Sequence, residues 1–318
     1  MIETKGLRKS FSVGKRGKST KVDAVRGVDL KVDEGEIFGF LGPNGAGKTT
    51  TLRMLTTLIE PDGGEATIAG LDLRTQGKEL RRRIGYVAQG GGTTDEATGR
   101  EEIILQARMY GLSKADAQQR ATQALDAFQL TEFADRHCST YSGGQRRRVD
   151  IAMGVIHNPK VVFLDEPTSG LDPQSRARTW DEVRRLRGEG MTVFLTTHYL
   201  DEADALCDRI AIIDNGEIVA EGTPAALKRE IAGDVVTIGV NGSTPTTAEL
   251  LSGFDYVRNV ETAGEGTLRL YVDEAATAIP QILRALDGSG ITFDKMELTR
   301  PSLDDVFLIK TGRTLRES

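Results

Sequence analysis

Short runs of apolar residues alternate with amphipathic segments along most of the chain. Residues 36–41 (EIFGFL), 161–164 (VVFL) and 192–195 (TVFL) are too short for buried helices and rich in β-branched and aromatic side chains, which is typical of buried strands. A polar segment with helical spacing, residues 174–187, separates the last two runs. Buried strands that alternate with helices predict a parallel sheet, and therefore an α/β fold.

Other periodicities flank this predicted core. Residues 2–32 carry short alternating patches around a polar, basic stretch, which predicts a strand, a loop and a strand. Residues 96–158 have apolar side chains at helical spacing, with Thr98 placed to cap a helix. Asn215 and Gly216 lie between two short apolar runs and predict a β-hairpin. We therefore predict a parallel-sheet core with an antiparallel β edge and a helical subdomain.

The pattern changes after residue 222. The predicted elements are, in order, strand, helix, strand, strand, helix and strand, at residues 235–240, 246–251, 256–260, 267–272, 273–286 and 291–298. This βαββαβ order is that of a ferredoxin-like α+β module. We therefore predict two domains, residues 1–225 and 226–318, with the last six residues as a loose tail.

Composition and charge narrow the class of protein. Of the 318 residues, 38% are hydrophobic and 28% charged, as in ordinary globular proteins, and the formal net charge of -6 argues against a nucleic-acid partner. Two basic runs, residues 81–83 and 146–148, are interpreted as solvated helix faces. Cys138 and Cys207 lack metal-ligand spacing and fit a reducing compartment. No apolar stretch is long enough to cross a membrane, so another chain must supply any membrane helices.

A glycine-rich motif supplies the first candidate chemistry. Residues 42–49 (GPNGAGKT) match G-x-x-x-x-G-K-[ST] between a predicted strand and a helical segment at residues 51–60. Glycines at this spacing let backbone N–H groups curl around phosphate oxygens, Lys48 neutralises the β and γ phosphates, and the Thr49 hydroxyl can ligate Mg²⁺. The alternative is a plain glycine-rich turn before a helix, and the strand–turn–helix context favours the phosphate loop. The predicted nucleotide-binding residues here are Gly42, Asn44, Gly45, Gly47, Lys48, Thr49 and Thr50.

Two consecutive carboxylates, Asp165 and Glu166, end the predicted strand at residues 161–164. The carboxyl end of a strand is where α/β sheets place their ligand chemistry. Asp165 is expected to hold Mg²⁺ through water, and Glu166 to polarise the water that attacks the phosphate. On its own such a pair is more often a favourable charge at a helix N-terminus, and the phosphate loop shifts the interpretation to catalysis.

Further motifs give the chain a specific resemblance. Residues 141–145 (YSGGQ) lie upstream of the acidic pair and resemble the LSGGQ signature of the ABC (ATP-binding cassette) ATPases, with tyrosine in place of the usual leucine. The other cassette elements follow in the order of the family. The Q-loop glutamine, the D-loop aspartate, the switch histidine and the aromatic residue that stacks on adenine are matched by Gln89, Asp172, His198 and Phe11.

The resemblance implies an ATP-hydrolysing cassette with the fold of the P-loop NTPases. Its implied cofactors are ATP and Mg²⁺, and the implied metal ligands are Thr49, Gln89 and Asp165. The implied catalytic residues are Lys48, Glu166 and His198. Of these, His198 would contact the γ phosphate.

The signature motif implies a dimer. Ser142, Gly143, Gly144 and Gln145 head a helix, and the free N–H groups at a helix N-terminus form an anion site. Because the motif faces outward in the family, cassettes pair head to tail. The resemblance therefore implies a homodimer of cassettes in which each signature caps the γ phosphate bound by the partner.

Three strings narrow the resemblance to one branch. YSGGQRRRVDIA, TTHYLDEAD and RPSLDDVFL, beginning at residues 141, 196 and 300, are similar to daunorubicin-resistance-type exporter ATPases. These resemble the motors of ABC-2 exporters, which implies a separate permease subunit and a place on the cytoplasmic face of the cell membrane. The implied substrate is a drug, a lipid or another hydrophobic molecule. By residue type alone, LDDVF predicts a capped amphipathic helix that packs on its own sheet.

Two other functions stay open from the sequence. A soluble cassette ATPase that acts on nucleic acid or ribosomes usually carries two cassettes, or a coiled-coil or zinc insertion, which this sequence lacks. An importer usually requires a binding protein, and the three exporter-like strings argue against import. The glycine run at residues 90–92, directly after Gln89, is expected to loosen the segment that touches the permease.

Overall fold

The computed structural model describes residues 1–13, 20–231, 233–241, 243–264 and 266–312. These residues fall into two compact units, Met1–Gly222 and a second that begins at Thr223. The predicted loop between the first two strands lies largely outside the described residues, at residues 14–19, as does the predicted tail at residues 313–318.

The strands of the first unit form two sheets. Their bounds are β1 (Ile2–Val13), β2 (Thr20–Val32), β3 (Ile37–Leu41), β4 (Gly63–Ile68), β5 (Leu71–Asp72), β6 (Ile84–Val87), β7 (Val161–Asp165), β8 (Thr192–Thr197), β9 (Arg209–Asp214) and β10 (Glu217–Gly222). The larger sheet has the order β10-β9-β3-β8-β7-β6, and its strands run parallel except β10. β3, β7 and β8 are buried along their whole length, which explains their unbroken apolar runs and confirms the predicted parallel sheet.

The smaller sheet provides the antiparallel part of the unit. Its order is β2-β1-β4-β5, with every pair antiparallel. Apolar side chains of this sheet, of β3 and of the first helix share one core, which includes Leu7, Val28, Phe40 and Leu52. The first helix therefore packs its apolar side chains into the same core as both sheets.

The helices of the first unit are α1 (Lys48–Leu55), α2 (Gly77–Leu80), α3 (Gly99–Met109), α4 (Lys114–Ala127), α5 (Gly143–Val155), α6 (Pro173–Gly188) and α7 (Leu200–Leu206). Thr98 caps α3 in a capping box with Glu101, as its position predicts. The predicted helical segment 51–60 is displaced in the structure. α1 begins before it and ends at Leu55, because Thr57 adopts a left-handed backbone with φ 62° that cannot continue a helix.

Helix α5 lies directly against strand β6 through two glycines. A Cβ atom on Gly85 would lie 2.1 Å from the carbonyl oxygen of Gly154, and one on Gly154 would lie 2.6 Å from a methyl group of Val87. No larger residue fits at either position without moving the backbone. Because neither glycine has a side chain, the backbone of α5 lies close to the backbone of β6.

The second unit has the predicted βαββαβ order, with one further helix before it and one after it. Its elements are α8 (Pro224–Ile231), β11 (Asp234–Asn241), α9 (Thr244–Ser252), β12 (Val257–Thr262), β13 (Thr267–Val272), α10 (Ala275–Gly288), β14 (Thr292–Thr299) and α11 (Leu303–Thr311). The sheet order is β12-β13-β11-β14, and every pair is antiparallel, which confirms a ferredoxin-like module. Ser302 caps α11, and Tyr271 of the sheet donates a hydrogen bond to Asp305 of that helix. The LDDVF segment therefore packs on its own sheet, as predicted.

Candidate nucleotide site

The phosphate-loop motif forms a tight turn between β3 and α1. Gly45 and Gly47 have φ angles of 81° and 107°, which favour glycine. A Cβ atom on Gly42 would lie 2.3 Å from the carbonyl oxygen of Ile213, and one on Gly47 would lie 2.5 Å from that of Ala24. The turn is thus packed against β9 and β2. No side chain caps α1, so its first N–H groups are available to an anion.

Lys48 lies buried under this turn. Its ammonium donates hydrogen bonds to the carbonyl oxygens of Gly42 (2.7 Å) and Pro43 (3.0 Å) and lies 3.4 Å from Glu166 Oε1. Burial lowers the pKa of Lys48, and the carboxylates of Glu166 and Asp165 counteract that effect. The loop carbonyls therefore fix the cation beside the acidic pair.

Asp165 and Thr49 meet at the carboxyl end of β7. The Thr49 hydroxyl donates to Asp165 Oδ1 at 3.1 Å, and the Thr196 hydroxyl donates to the same oxygen at 2.6 Å. Thr196 also accepts a hydrogen bond from the backbone N–H of Glu166 at 3.0 Å. The hydroxyl and carboxylate oxygens of Thr49 and Asp165 are the hard ligands that Mg²⁺ prefers, so this pair fits the predicted metal. The support that Thr196 gives to both acids was not foreseen from the sequence.

The Glu166 side chain receives contacts from three sides. Gln89 Nε2 donates to Glu166 Oε2 at 2.9 Å, and His198 Nδ1 lies 3.1 Å from the same oxygen without the alignment of a hydrogen bond. Burial opposes ionisation of this carboxyl, but His198 and Lys48 outweigh it and hold the pKa of Glu166 below its usual value. The backbone of Glu166 is left-handed, with φ 44°, a strained conformation for glutamate. The structure therefore brings Lys48, Gln89, Glu166 and His198 together around an ionised carboxylate.

The signature motif caps its own helix. Ser142 accepts a hydrogen bond from the N–H of Gln145, whose side chain accepts one from the N–H of Ser142. Ser142 and Gly143 are exposed. Among the described residues, no hydrogen bond or ion pair joins this motif to the phosphate loop. The motif and the loop are thus separate features of one chain.

The signature and the D-loop lie next to each other. A Cβ atom on Gly144 would lie 2.4 Å from Ser175 Oγ, so glycine alone fits there. Ser175 belongs to the first turn of α6, which Asp172 caps by accepting a hydrogen bond from the Ser175 N–H at 2.9 Å. Asp172 is therefore fixed beside the start of α5.

The remaining predicted binding residues show fewer contacts. Asn44 is exposed in the phosphate loop, and Thr50 lies half-buried in the first turn of α1. Phe11 is 40% exposed on β1, paired with Val22 on β2, and its ring centroid lies 5.7 Å from the ammonium of Lys9. Stacking of Phe11 on adenine stays a prediction.

The interpretation of residues 146–148 as a solvated helix face is wrong. Arg147 and Arg148 are each 6% exposed, and both donate to backbone carbonyl groups in the interior. Successive helical residues point about 100° apart, so a run of three cannot share one face. The helix α5 is moreover covered on most sides. Of the other basic run, Arg81 and Arg82 are exposed, although they follow α2 instead of forming a helix face.

Two family models match parts of the chain. Residues 25–169 match the family model described as ABC transporter, and residues 222–311 match the model described as ATP-binding protein DrrA1-3-like, C-terminal domain. The chain is 43% identical over 291 residues to the daunorubicin resistance ATP-binding protein DrrA2 of Streptomyces coeruleorubidus, covering 91% of this chain and 90% of the relative. It is 34% identical to the linearmycin resistance ATP-binding protein LnrL of Bacillus subtilis, covering 100% of both chains.

Solved structures resemble the first unit. One is described as a dimeric structure of a post-hydrolysis state of the ATP-binding cassette MJ0796 bound to ADP and Pi. It is 28% identical to this chain, with a TM-score of 0.64, and the match covers 70% of this chain and 98% of the other. The phosphate loop, the acidic pair and these relatives together show that the chain belongs to the ABC transporter family and is an ABC-type ATPase.

Proposed function

We propose that this chain is the ATP-hydrolysing subunit of an exporter and that it drives a separate membrane-embedded permease. One observation carries the catalytic part: the Glu166 carboxylate lies 3.4 Å from the Lys48 ammonium and receives a hydrogen bond from Gln89. An ionised carboxylate beside a phosphate-binding loop is what activation of an attacking water requires.

Nucleotide binding is assigned to the phosphate loop and its surroundings. Lys48 and the backbone N–H groups of residues 45–50 balance the charge of the phosphates, and Phe11 stacks on adenine. Thr49, Gln89 and Asp165 would hold Mg²⁺, which when bound supplies further neutralisation of phosphate charge. The roles of Lys48, Thr49, Gln89 and Asp165 are supported by oxygen or nitrogen atoms that suit their ligands.

Hydrolysis converts ATP and water to ADP and phosphate. Glu166 orients the water and accepts its proton, since its carboxyl is held ionised by Lys48 and His198. His198, whose Nδ1 lies 3.1 Å from Glu166 Oε2, would contact the γ phosphate. Gln89 bonds directly to Glu166 and would report the state of the nucleotide to the permease.

We propose that two cassettes pair head to tail and share two ATP molecules. Support comes from the exposed signature motif, which shows no bond to the phosphate loop of its own chain among the described residues. The related MJ0796 cassette is described as dimeric. Ser142, Gly143, Gly144 and Gln145 would then cap the γ phosphate of the partner, with Asp172 beside them.

The membrane partner and substrate are inferred from the relatives. Both reported relatives are named as resistance proteins, one for daunorubicin and one for linearmycin. We propose that this chain sits on the cytoplasmic face of the cell membrane and powers efflux of a drug, lipid or other hydrophobic molecule. None of the described helices combines the length and apolarity that crossing a bilayer requires. Residues 226–318 would support the dimer or regulate the cassette at residues 1–225.

The shared-site arrangement is tested by mixing two defective chains on a Glu166→Gln background. Ser142→Arg puts a bulky cation at the signature helix, and Lys48→Ala removes the charge that faces the phosphates. In a heterodimer, both lesions fall in one composite site and the other site stays intact. The mixture should therefore trap ATP where neither homodimer does.

Two outcomes would contradict the proposal. If heterodimers form but trap no more ATP than the separate mutants, the sites are not shared. If the wild-type chain co-purifies with RNA and not with a membrane protein of several spans, the exporter assignment fails and the ribosome or nucleic-acid alternative takes its place.

A further inference from the structure

One buried side chain on the signature helix binds the backbone on both sides of the catalytic carboxylate. Arg147, on α5, donates from Nε to the carbonyl oxygen of Pro167 (2.8 Å), from Nη1 to that of Ala88 (2.6 Å) and from Nη2 to that of Asp165 (3.1 Å). Asp165 and Pro167 are the neighbours of Glu166 in the chain. Its three hydrogen-bond acceptors are neutral carbonyl groups.

The third acceptor belongs to the other half of the site. Ala88 directly precedes Gln89, whose side chain donates to Glu166. One guanidinium therefore bridges the two backbone segments that carry the Gln89–Glu166 hydrogen bond. Arginine suits this task because its planar group presents several N–H donors in fixed directions, which a lysine ammonium does not.

The segment after Gln89 is fastened to the same helix. Asp150 Oδ1 accepts hydrogen bonds from the N–H groups of Gly92 (2.8 Å) and Thr93 (3.2 Å), and Arg146 Nε donates to Thr93 Oγ1 at 2.8 Å. A Cβ atom on Gly91 would lie 2.7 Å from Asp150 Oδ2. The glycine run was expected to loosen this segment, and its small size instead lets the backbone close onto Asp150.

The strained backbone of Glu166 requires such support. A left-handed glutamate persists only where the surrounding structure holds it in place. The N–H of Glu166 donates a hydrogen bond to the Thr196 hydroxyl, and Arg147 donates hydrogen bonds to the carbonyl groups of both neighbouring residues. The glycine crossing of α5 and β6 keeps α5 close enough for these bonds.

We propose that Arg147 is a positioning residue that couples the placement of the signature helix to Glu166 and Gln89 of the same chain. This step rests on the proposed function, in which the N-terminus of α5 serves the nucleotide of the partner. Engagement of the signature in one composite site then aligns the catalytic carboxylate in the other. The coupling runs through side-chain-to-backbone hydrogen bonds within a single protomer.

The neighbouring Arg148 offers a matched control. It is as buried as Arg147, at 6% exposure, and it also donates to backbone carbonyl groups, those of Phe128 (2.9 Å) and Gln129 (3.3 Å). These acceptors directly follow α4 and do not belong to the catalytic segments. A substitution here removes a similar buried cation and leaves the hydrogen bonds to the segments of Gln89 and Glu166 in place.

The test compares Arg147→Met, Arg147→Lys and Arg148→Met in the full chain. We expect Arg147→Met to lower kcat about 100-fold, the effect of a small misplacement of reacting groups, with an unchanged Kd for ATP. Arg147→Lys should fold and should still have a kcat far below that of wild type, because a lysine ammonium lacks the fixed N–H donors of arginine. Arg148→Met should lower the unfolding temperature without the loss of kcat. Hydrogen exchange followed by mass spectrometry should show faster exchange at residues 88–93 and 165–169 in the Arg147 variants only.

The outcomes separate this inference from the proposed function. Wild-type kcat in a folded Arg147 variant overturns it, and so does an equal loss of kcat in Arg148→Met, which would indicate general packing. If Arg147→Met does not fold, Arg147→Lys decides by the same measures. If the wild-type chain does not hydrolyse ATP, the proposed function fails. The exchange experiment then decides alone, and equal exchange in all chains overturns the role of Arg147.

Discussion

Thr196 is the residue whose removal should best reveal how the acidic pair is held. Its hydroxyl donates to Asp165 at 2.6 Å and accepts from the N–H of Glu166 at 3.0 Å, in a fully buried position on β8. Thr196→Val keeps the shape and removes both bonds. A bond to a carboxylate contributes about 1.5–3 kcal/mol and a neutral one about 1 kcal/mol, so the free energy of unfolding should fall by about 2.5–4 kcal/mol.

The same change should slow ATP hydrolysis. Asp165 loses the donor that fixes its orientation, and the backbone at Glu166 loses one of its supports, so kcat should fall at least about tenfold. Thr196→Ser, which keeps the hydroxyl, should restore most of it. Urea unfolding gives the stability, and release of phosphate under saturating ATP gives kcat.

Thr192 provides the control on the same strand. It is equally buried at the other end of β8, and its hydroxyl accepts a hydrogen bond from the N–H of Gly35 at 2.9 Å. Thr192→Val should cost about 1 kcal/mol and leave kcat unchanged. If Thr196→Val hydrolyses ATP as fast as Thr192→Val, the reasoning about the support of the acidic pair is refuted.

Three further outcomes are expected. Glu166→Gln should bind ATP and lower kcat at least about 100-fold, since general-base participation contributes that much; near-normal hydrolysis would remove Glu166 from the mechanism. Lys48→Ala should weaken ATP binding in a calorimetric titration, and unchanged affinity would count against the phosphate loop. Glu202, fully buried, accepts from Thr168 and Trp180, and burial raises its pKa. The folded state therefore binds the proton of Glu202 more tightly than the unfolded state does. The stabilisation from this proton is complete below pH 4.5, the ordinary pKa of glutamate, and is lost as the pH rises through the raised pKa. The unfolding temperature of Glu202→Gln minus that of wild type should therefore increase with pH over that window; a decrease would contradict the assignment.

The parts of the structure that the sequence predicted depend on local signals. The parallel strands are continuous apolar runs, Thr98 precedes a helical pattern, and the Asn215-Gly216 turn adopts positive φ angles of 48° and 83° that these residue types favour. The order of strands and helices in the second unit likewise follows from periodicity alone. Such features are set by neighbours in the chain, so a single sequence contains them.

The parts that were missed depend on contacts between distant segments. Thr196 supports Asp165 across two neighbouring strands, and no pattern around Thr196 marks it. Arg147 looked solvated within a basic run, and it is buried because Gly85 and Gly154 let the helix approach the sheet. The left-handed backbone of Glu166 has no signal in residue type, since glutamate disfavours it. The residues that meet at the site were thus predictable, and the contacts that support them were not.

The backbone conformation at Glu166 places the stability of the fold in conflict with the rate of ATP hydrolysis. Glycine would adopt φ 44° with less strain, a relief of roughly 1–2 kcal/mol before its greater freedom in the unfolded chain is counted. A library of variants sorted for heat resistance alone would therefore enrich glycine at this position. Such a selection would yield cassettes that bind ATP and no longer hydrolyse it.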